Sequence, residues 1–102
     1  MATVENYSVG FFGSKEGRAG VRARISLHNN QKLLGWIDFV DEGKAVPLDH
    51  KDDAQALVFM NLPAGMFENV LDTLRNEKPI DYTFSGSTAI LGTSKEIVGE
   101  AE

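Results

Sequence analysis

The chain has 102 residues, of which 42% are hydrophobic and 25% charged, a composition that predicts one globular domain with its own core. It contains no cysteine, which excludes disulfides, thiol nucleophiles and cysteine-ligated zinc or iron–sulfur centres. No apolar run approaches the ~20 residues that span a bilayer, and the first residues lack the basic and apolar regions of a signal peptide. We therefore expect a cytoplasmic protein with no membrane partner.

The net charge of −5 is unevenly distributed along the chain. Residues 13–32 hold five basic side chains and one acidic side chain, so this segment carries +4 and the rest of the chain carries −9. The segment is of interest because anion binding depends on local potential more than on the total charge. The plain alternative is that basic and acidic segments neutralise each other once the chain folds.

The first third of the chain predicts three strands. The stretch VENYSVGFF predicts a strand that leads into a glycine-rich loop. The stretches VRARISLH and KLLGWIDFV alternate apolar and polar residues, the pattern of strands with one buried face. A three-residue hairpin loop at residues 29–31 would keep both apolar sets on the same face. In that register Arg24 lies opposite Trp36, and Arg22 lies opposite Asp38.

The rest of the chain changes from strand to helical spacing and back. AVPLD predicts a short edge strand, because Pro47 cannot donate a hydrogen bond to a neighbouring strand. HKDD predicts a loop, and AQALVFMNL predicts a central strand. Residues 63–77 place apolar residues at helical spacing, with Pro63 suited to the first turn and Pro79 ending the helix. IDYTFS and TAILGT predict two final strands. Residues 95–102 form an acidic tail that we expect to be disordered.

These elements predict a single α+β domain over residues 1–102. Its architecture is an antiparallel β-sheet of five to seven strands with one α-helix, about residues 63–77, packed on one face. The element order is β-β-β-(β)-β-α-β-β. A single helix covers only part of such a sheet, so the uncovered face is polar, paired with another copy, or a binding surface.

The glycine-rich stretch GFFGSKEGRAG does not match a nucleotide-binding loop. The Walker A pattern needs Ser or Thr after Gly-Lys and a helix after the loop, whereas here Gly13-Ser14-Lys15 is followed by Glu16 and a strand. The glycine spacing also departs from the dinucleotide fingerprint. We therefore predict a flexible hairpin loop, in which Lys15 and Arg18 are available to an anion.

The strands flanking residues 29–31 predict an outer face on which arginine lies beside tryptophan. We take one set of side chains as a candidate interface or anion-binding face: Lys15, Arg18, Arg22, Arg24, His28, Leu34 and Trp36. Arg and Trp are enriched at protein interfaces, which favours a non-enzymatic homo-oligomer with Leu34 and Trp36 buried between protomers. The same pair also suits single-stranded nucleic acid, and a sheet followed by one helix resembles, in topology alone, the PC4 and Whirly single-stranded DNA-binding domains. The acidity of the chain disfavours that alternative.

Catalytic and metal chemistry receive little support. Asp49, His50, Asp52 and Asp53 match no EF-hand, and the sequence predicts a solvated loop there. The serines lie in no G-x-S-x-G elbow, and His28 and His50 have no recognisable partner spacing. We therefore predict no catalytic residue, no metal and no cofactor, and keep as a second alternative a small-molecule binder or enzyme with a pocket at a subunit interface.

Overall fold

A computed structural model of the chain describes residues 2–93, which form eight strands, a short 3-10 helix and one α-helix. The strands are β1 (Ala2–Val4), β2 (Asn6–Phe11), β3 (Val21–Asn29), β4 (Lys32–Val40), β5 (His50–Asp52), β6 (Leu57–Pro63), β7 (Ile80–Ser85) and β8 (Thr88–Thr93). The 3-10 helix, Ala64–Met66, leads directly into α1, Phe67–Asn76. The tail predicted at residues 95–102 lies outside the described residues.

The strands form two sheets instead of the single sheet predicted from the sequence. The larger sheet has the order β2-β3-β4-β6-β5, and the smaller has the order β1-β7-β8. The α+β class is confirmed, but the predicted single antiparallel sheet is wrong, because β4 and β6 run parallel and the opening strand is divided. It breaks at Glu5, whose backbone N–H donates to the carbonyl of His28 at 2.8 Å. Residues before this point join the small sheet and residues after it join the large one.

The β3–β4 hairpin turns more tightly than predicted. Asn29 pairs with Lys32, which leaves a two-residue turn in which Asn30 has a φ of 59°. Leu34 is left out of the pairing, so the strand contains a bulge. A two-residue turn alone would shift the pairing by one residue and place the apolar side chains of the two strands on opposite faces. The extra residue in the bulge compensates for this shift, so the apolar side chains of both strands lie on one face.

The two-residue turn and the bulge each move the strand pairing by one residue, so that it lies two residues from the predicted register. Arg24 lies opposite Asp38, whereas the sequence predicts Trp36 at that position. Leu34, predicted on the outer face, is buried in the core. The tighter turn and the bulge together explain the new pairing of Arg24, and the bulge explains why the Leu34 side chain turns inward.

The edge of the large sheet next to β6 is formed by β5, in the segment predicted to be a loop. No strand forms at residues 45–49, where an edge strand is predicted. Residues 41–56, which include β5, connect β4 to the parallel strand β6. Just before β5, the Asp49 carboxylate accepts the N–H of Asn61 at 2.8 Å and of Ala89 at 2.9 Å. Asp49 thereby joins the two sheets.

The core lies between the inner face of the large sheet and a layer made of α1 and the small sheet. Its fully buried side chains are Ile25, Leu27, Ile37 and Phe39, and Val70 and Tyr82 close it from the other side. The helix begins at Phe67 and not at the predicted Pro63, because Pro63 still belongs to β6 and the next three residues form the 3-10 helix. The outer face of the large sheet has no covering layer among residues 2–93, so the side chains that alternate with the core residues are left for another role.

Candidate interaction surface

Three aromatic side chains from three neighbouring strands meet on the outer face. The parallel register places Trp36 beside Phe59, and the antiparallel register places Phe59 beside His50. The Trp36 and Phe59 ring centroids are 4.6 Å apart, and the His50 and Phe59 rings stack with centroids 5.7 Å apart and planes 8° from parallel. The register thus forms a continuous aromatic strip across three of the five strands of the sheet.

Arginine extends this strip towards β2. The Arg24 guanidinium carbon lies 4.2 Å from the Trp36 ring centroid and 5.8 Å from that of Phe12. Arg18 approaches the same Phe12 ring at 5.7 Å. We call the side chains of Phe12, Arg24, Trp36, Phe59 and His50 the ring row. Each member contacts the next, so the row is ordered before any ligand or partner arrives.

The charge in the middle of the ring row is neutralised within the chain. Arg24 Nε donates to Asp38 Oδ1 at 2.6 Å, and Nη2 donates to Asp38 Oδ2 at 3.1 Å. This two-point pairing satisfies the geometry that guanidinium would otherwise offer to a phosphate. The centre of the outer face therefore presents aromatic surface with no net charge.

Arg22 has a different role from the one predicted. Its guanidinium donates to both carboxylate oxygens of Asp41 and to four backbone carbonyls of the glycine-rich loop, at residues 12–15, with distances of 2.8 to 3.1 Å. The hydrogen bonds from Arg22 hold the pKa of Asp41 below its usual range. Arg22 thus ties the loop to the end of β4, and its donors are used inside the chain.

The remaining predicted side chains are dispersed. Lys15 is exposed in the glycine-rich loop, and its carbonyl accepts a hydrogen bond from Arg22. His28 lies on the outer face of β3, beyond Ser26 and away from the ring row. Leu34 belongs to the core and is only 6% exposed. Of the predicted set, the structure brings together only Arg18, Arg24 and Trp36 around the ring row.

Sequence reasoning did not select Phe12, Phe59 or His50. Phe59 lies in a stretch predicted as a central strand, and only the parallel pairing of β4 with β6 places it beside Trp36. His50 lies in a stretch predicted to be a loop. The alternation of apolar and polar residues in AQALVFMNL was too weak to assign Phe59 to a face, and no local pattern indicates which strand is its neighbour.

The backbone under Trp36 is held from the core side. Tyr82 of the small sheet places its hydroxyl 3.1 Å from the Trp36 carbonyl and 3.0 Å from the Val58 carbonyl. Burial raises the pKa of Tyr82 above its usual range, and the nearby Asp49 adds to this shift. Gly35 lies next to this contact with a φ of 143°, and a Cβ there would overlap the Val58 carbonyl. The strand pair that carries the ring row is therefore closely constrained.

The structure offers less support for a ligand pocket, a metal site or a membrane-spanning helix. Two surface grooves, of about 650 Å³ and 340 Å³, lie beside α1, and neither is lined by His28 or His50. Among residues 2–93, no three acidic or histidine side chains come together to hold a metal ion. The helices in this range are too short and too polar to cross a membrane. In comparisons with known proteins, no family model, curated protein or solved structure matched the chain.

Proposed function

We propose that the chain is a non-catalytic assembly domain that associates with a second copy through the outer face of its large sheet. The observation that carries this proposal is the ring row, with Trp36 and Phe59 at its centre. Arginine and large aromatic side chains, packed and ordered, are the residue types that dominate binding energy at protein interfaces. The row is a better match to that class of surface than to a catalytic or metal site.

The physical state of the ring row favours burial against protein. Trp36 and Phe59 are half-buried in the isolated chain, and their neighbours restrict their rotamers. Side chains that are already ordered lose less entropy on binding, so more of the burial energy appears as affinity. The Arg24–Asp38 pair completes its hydrogen bonds internally. Covering it costs less than covering an unpaired charge.

The two ends of the outer face carry opposite charge, which favours a second copy as the partner. Lys15, Glu16 and Arg18 give the loop at the β2–β3 corner a net charge of +1. Lys51, Asp52 and Asp53 give the diagonally opposite corner, at the end of β5, a net charge of −1, with Lys51 Nζ 3.2 Å from Asp53 Oδ1. A twofold axis in the plane of the interface, perpendicular to the line joining these corners, would place each basic end against the acidic end of the other copy. Such complementarity selects the pairing and its orientation.

The test is the oligomeric state of a variant with a charge in the centre of the row. We expect sedimentation velocity to detect a dimer at micromolar concentration, and Phe59→Lys to weaken it by at least about tenfold because a buried unpaired charge opposes association. Leu48→Lys is the matched control, since Leu48 is an 86% exposed apolar residue outside the row. A parent protein that stays monomeric at hundreds of micromolar, or equal dissociation constants for both variants, would overturn the proposal.

Single-stranded nucleic acid is the second candidate function, favoured by Arg18, which lies over Phe12 and has no ion-pair partner among the described residues. Against it, the donors of Arg22 and Arg24 are used internally, and Arg24 covers one side of the Trp36 ring. Titration of a labelled oligonucleotide at low and high salt separates the two functions. Binding that weakens steeply with salt and is lost in Arg18→Ala would favour nucleic acid over self-association.

A further inference from the structure

The four edges of the two sheets are protected to very different degrees. Unpaired strand edges tend to pair with other strands unless they are short, charged or covered. β1 and β5 have only three residues each, and β5 carries Lys51 and Asp52. On β8, Asp49 already accepts the N–H of Ala89. Within the described part of the chain, residues 2–93, the edge of β2 has none of these protections.

β2 is a six-residue strand, NYSVGF, without a charged residue or a proline. The N–H of Phe12 donates to the carbonyl of Arg22 at 2.8 Å, which fixes the phase of the β2–β3 ladder. Because hydrogen-bonded residues alternate in an antiparallel pair, the N–H and C=O groups of Tyr7, Val9 and Phe11 point away from β3. Within residues 2–93 these groups have no hydrogen-bond partner.

The side chains at this edge are also apolar and accessible. Val9 is 38% exposed and Phe11 is 68% exposed, and the Phe11 ring centroid lies 5.3 Å from that of Phe67 at the start of α1. Both side chains lie on the same side of the strand as the core residues, since Val9 pairs with Ile25 and Phe11 with Ala23. The free edge of β2 therefore combines unpaired backbone groups with exposed apolar side chains at the border of the core.

We propose that β2 pairs antiparallel with β2 of a second copy, with Val9 facing Val9 across a twofold axis. In this register Tyr7 faces Phe11 of the other copy, and Phe11 faces its Tyr7. All three pairs use the residues whose backbone groups are free, so each pair exchanges both of its N–H···O bonds. The two large sheets become one continuous sheet.

The sequence of β2 fits a copy of itself. The residues that face each other across the axis are uncharged, so no like charges meet. The exposed Phe11 and Val9 side chains of both copies fall on one side of the joined sheet and extend its apolar layer. A foreign strand would gain the backbone hydrogen bonds, but only an identical strand matches this register about a twofold axis.

This edge contact is separate from the ring row. Its twofold axis is perpendicular to the sheet, whereas face-to-face association needs an axis in the plane of the interface, so both contacts can form in one assembly. The edge contact uses neither Trp36 nor Phe59. We therefore test it in the Phe59→Lys variant as well as in the parent protein, so that failure of one contact is distinguishable from failure of the other.

Amide hydrogen exchange provides a residue-specific test. We expect the N–H groups of Tyr7, Val9 and Phe11 to become protected as protein concentration rises, in both the parent protein and Phe59→Lys. The N–H groups of Ser8 and Gly10 bond to β3 and should be protected at every concentration. Rapid exchange of the three edge amides at the highest concentration, in a protein that is otherwise folded, would overturn the proposal.

Cysteine cross-linking provides the second test, because the described chain contains no cysteine. Residues facing each other in an antiparallel pair have Cα atoms about 5.5 Å apart, within the range that a disulfide bridges. We expect V9C to form a covalent dimer under mild oxidation at least about tenfold faster than V46C. Val46 is a suitable control because it is 42% exposed but lies in a loop. Equal rates for the two variants would contradict the edge pairing.

Discussion

The two faces of the large sheet are built from alternate residues of the same strands, yet they are held together differently. On the inner face Ile37 and Phe39 are fully buried and covered by α1 and the small sheet. On the outer face no part of residues 2–93 forms a layer over Trp36 and Asp38, and ring contacts and one ion pair hold their neighbours. Apolar burial maintains the inner face, whereas specific side-chain contacts maintain the outer one.

This difference indicates a division of roles along each strand. Removing an inner side chain lowers the free energy of unfolding, because it leaves a cavity in a closed core. Removing an outer side chain leaves no cavity, so its principal effect falls on association. Two substitutions, one on each face, measure how far the inner face determines stability and the outer face determines association.

The largest contrast is expected between Phe39→Ala and Phe59→Ala. Phe39 is fully buried, so its truncation should reduce the free energy of unfolding by about 3–5 kcal/mol. Phe59 is half-buried on the outer face, and we expect its truncation to cost roughly 1 kcal/mol while weakening association. Urea unfolding of both variants measures the two costs. Equal losses would mean that the outer face contributes to the fold as much as the core does.

Gly35→Ala tests the close contact between β4 and β6, the two strands that carry Trp36 and Phe59. A side chain at this φ of 143° is strained, and its Cβ would overlap the Val58 carbonyl, so β4 and β6 must separate. We expect a loss of roughly 3 kcal/mol in the free energy of unfolding. Gly10→Ala is the control, because a Cβ at Gly10 meets nothing within 4 Å. Thermal unfolding at matched concentration compares the stabilities of the two variants. A Gly35→Ala protein as stable as the parent would contradict the close contact between Gly35 and the Val58 carbonyl.

Tyr82→Phe probes the link between the small sheet and the ring row. It removes the donor near the Trp36 and Val58 carbonyls, which we expect to cost about 1–2 kcal/mol near pH 8. Folding raises the pKa of Tyr82, so the contribution of its neutral hydroxyl is fully present below the unfolded pKa of about 10 and declines as the pH rises above it. The difference between parent and variant should therefore narrow above about pH 10.

Urea unfolding at several pH values between neutral and alkaline conditions measures this narrowing. Tyr7→Phe is the control, the same chemical change on a half-buried tyrosine of β2. We expect the Tyr7→Phe protein to lose free energy of unfolding at alkaline pH as the parent protein does. A difference between parent and Tyr82→Phe that stays constant with pH would show that the hydroxyl ionises no later in the folded chain than in the unfolded one.

The smallest effect is expected at the attachment of the glycine-rich loop. Arg22 lowers the pKa of Asp41, so the stabilisation is fully present above the unfolded pKa of about 3.9 and is lost as the pH falls through the lower folded value. Arg22→Lys should bring the pKa of Asp41 closer to its usual range, because an ammonium group cannot reach all six acceptors of Arg22. NMR titration of the Asp41 carboxyl measures the shift. Arg24→Lys, on the ring row, should leave that titration unchanged.

The local elements were largely predictable from the sequence. Alternation in VRARISLH and KLLGWIDFV placed β3 and β4, and helical spacing placed α1, although the helix begins four residues later than predicted. The strands predicted over IDYTFS and TAILGT are also present, as β7 and β8. These features depend on backbone periodicity, which is a property of a short stretch of chain.

The candidate site was only partly predictable for the same reason. Arg24 and Trp36 were selected as neighbours, and they do contact each other, but through a diagonal approach and not across the predicted pair. Leu34 was assigned to the wrong face because simple alternation along the strand does not show the bulge that turns its side chain inward. Arg22 was selected for its charge, yet its donors are used by a loop that the sequence does not show to fold back on it.

The class of the domain, most of the inward side chains of β3 and β4 and the stretch that forms the helix follow from the sequence alone. The division into two sheets, the parallel pairing of β4 with β6 and the place of Phe59 and His50 in the ring row follow only from the folded chain. Strand neighbours are chosen by packing between segments far apart in the chain, and register follows from bulges and turns that packing stabilises. Local periodicity carries no information about either choice.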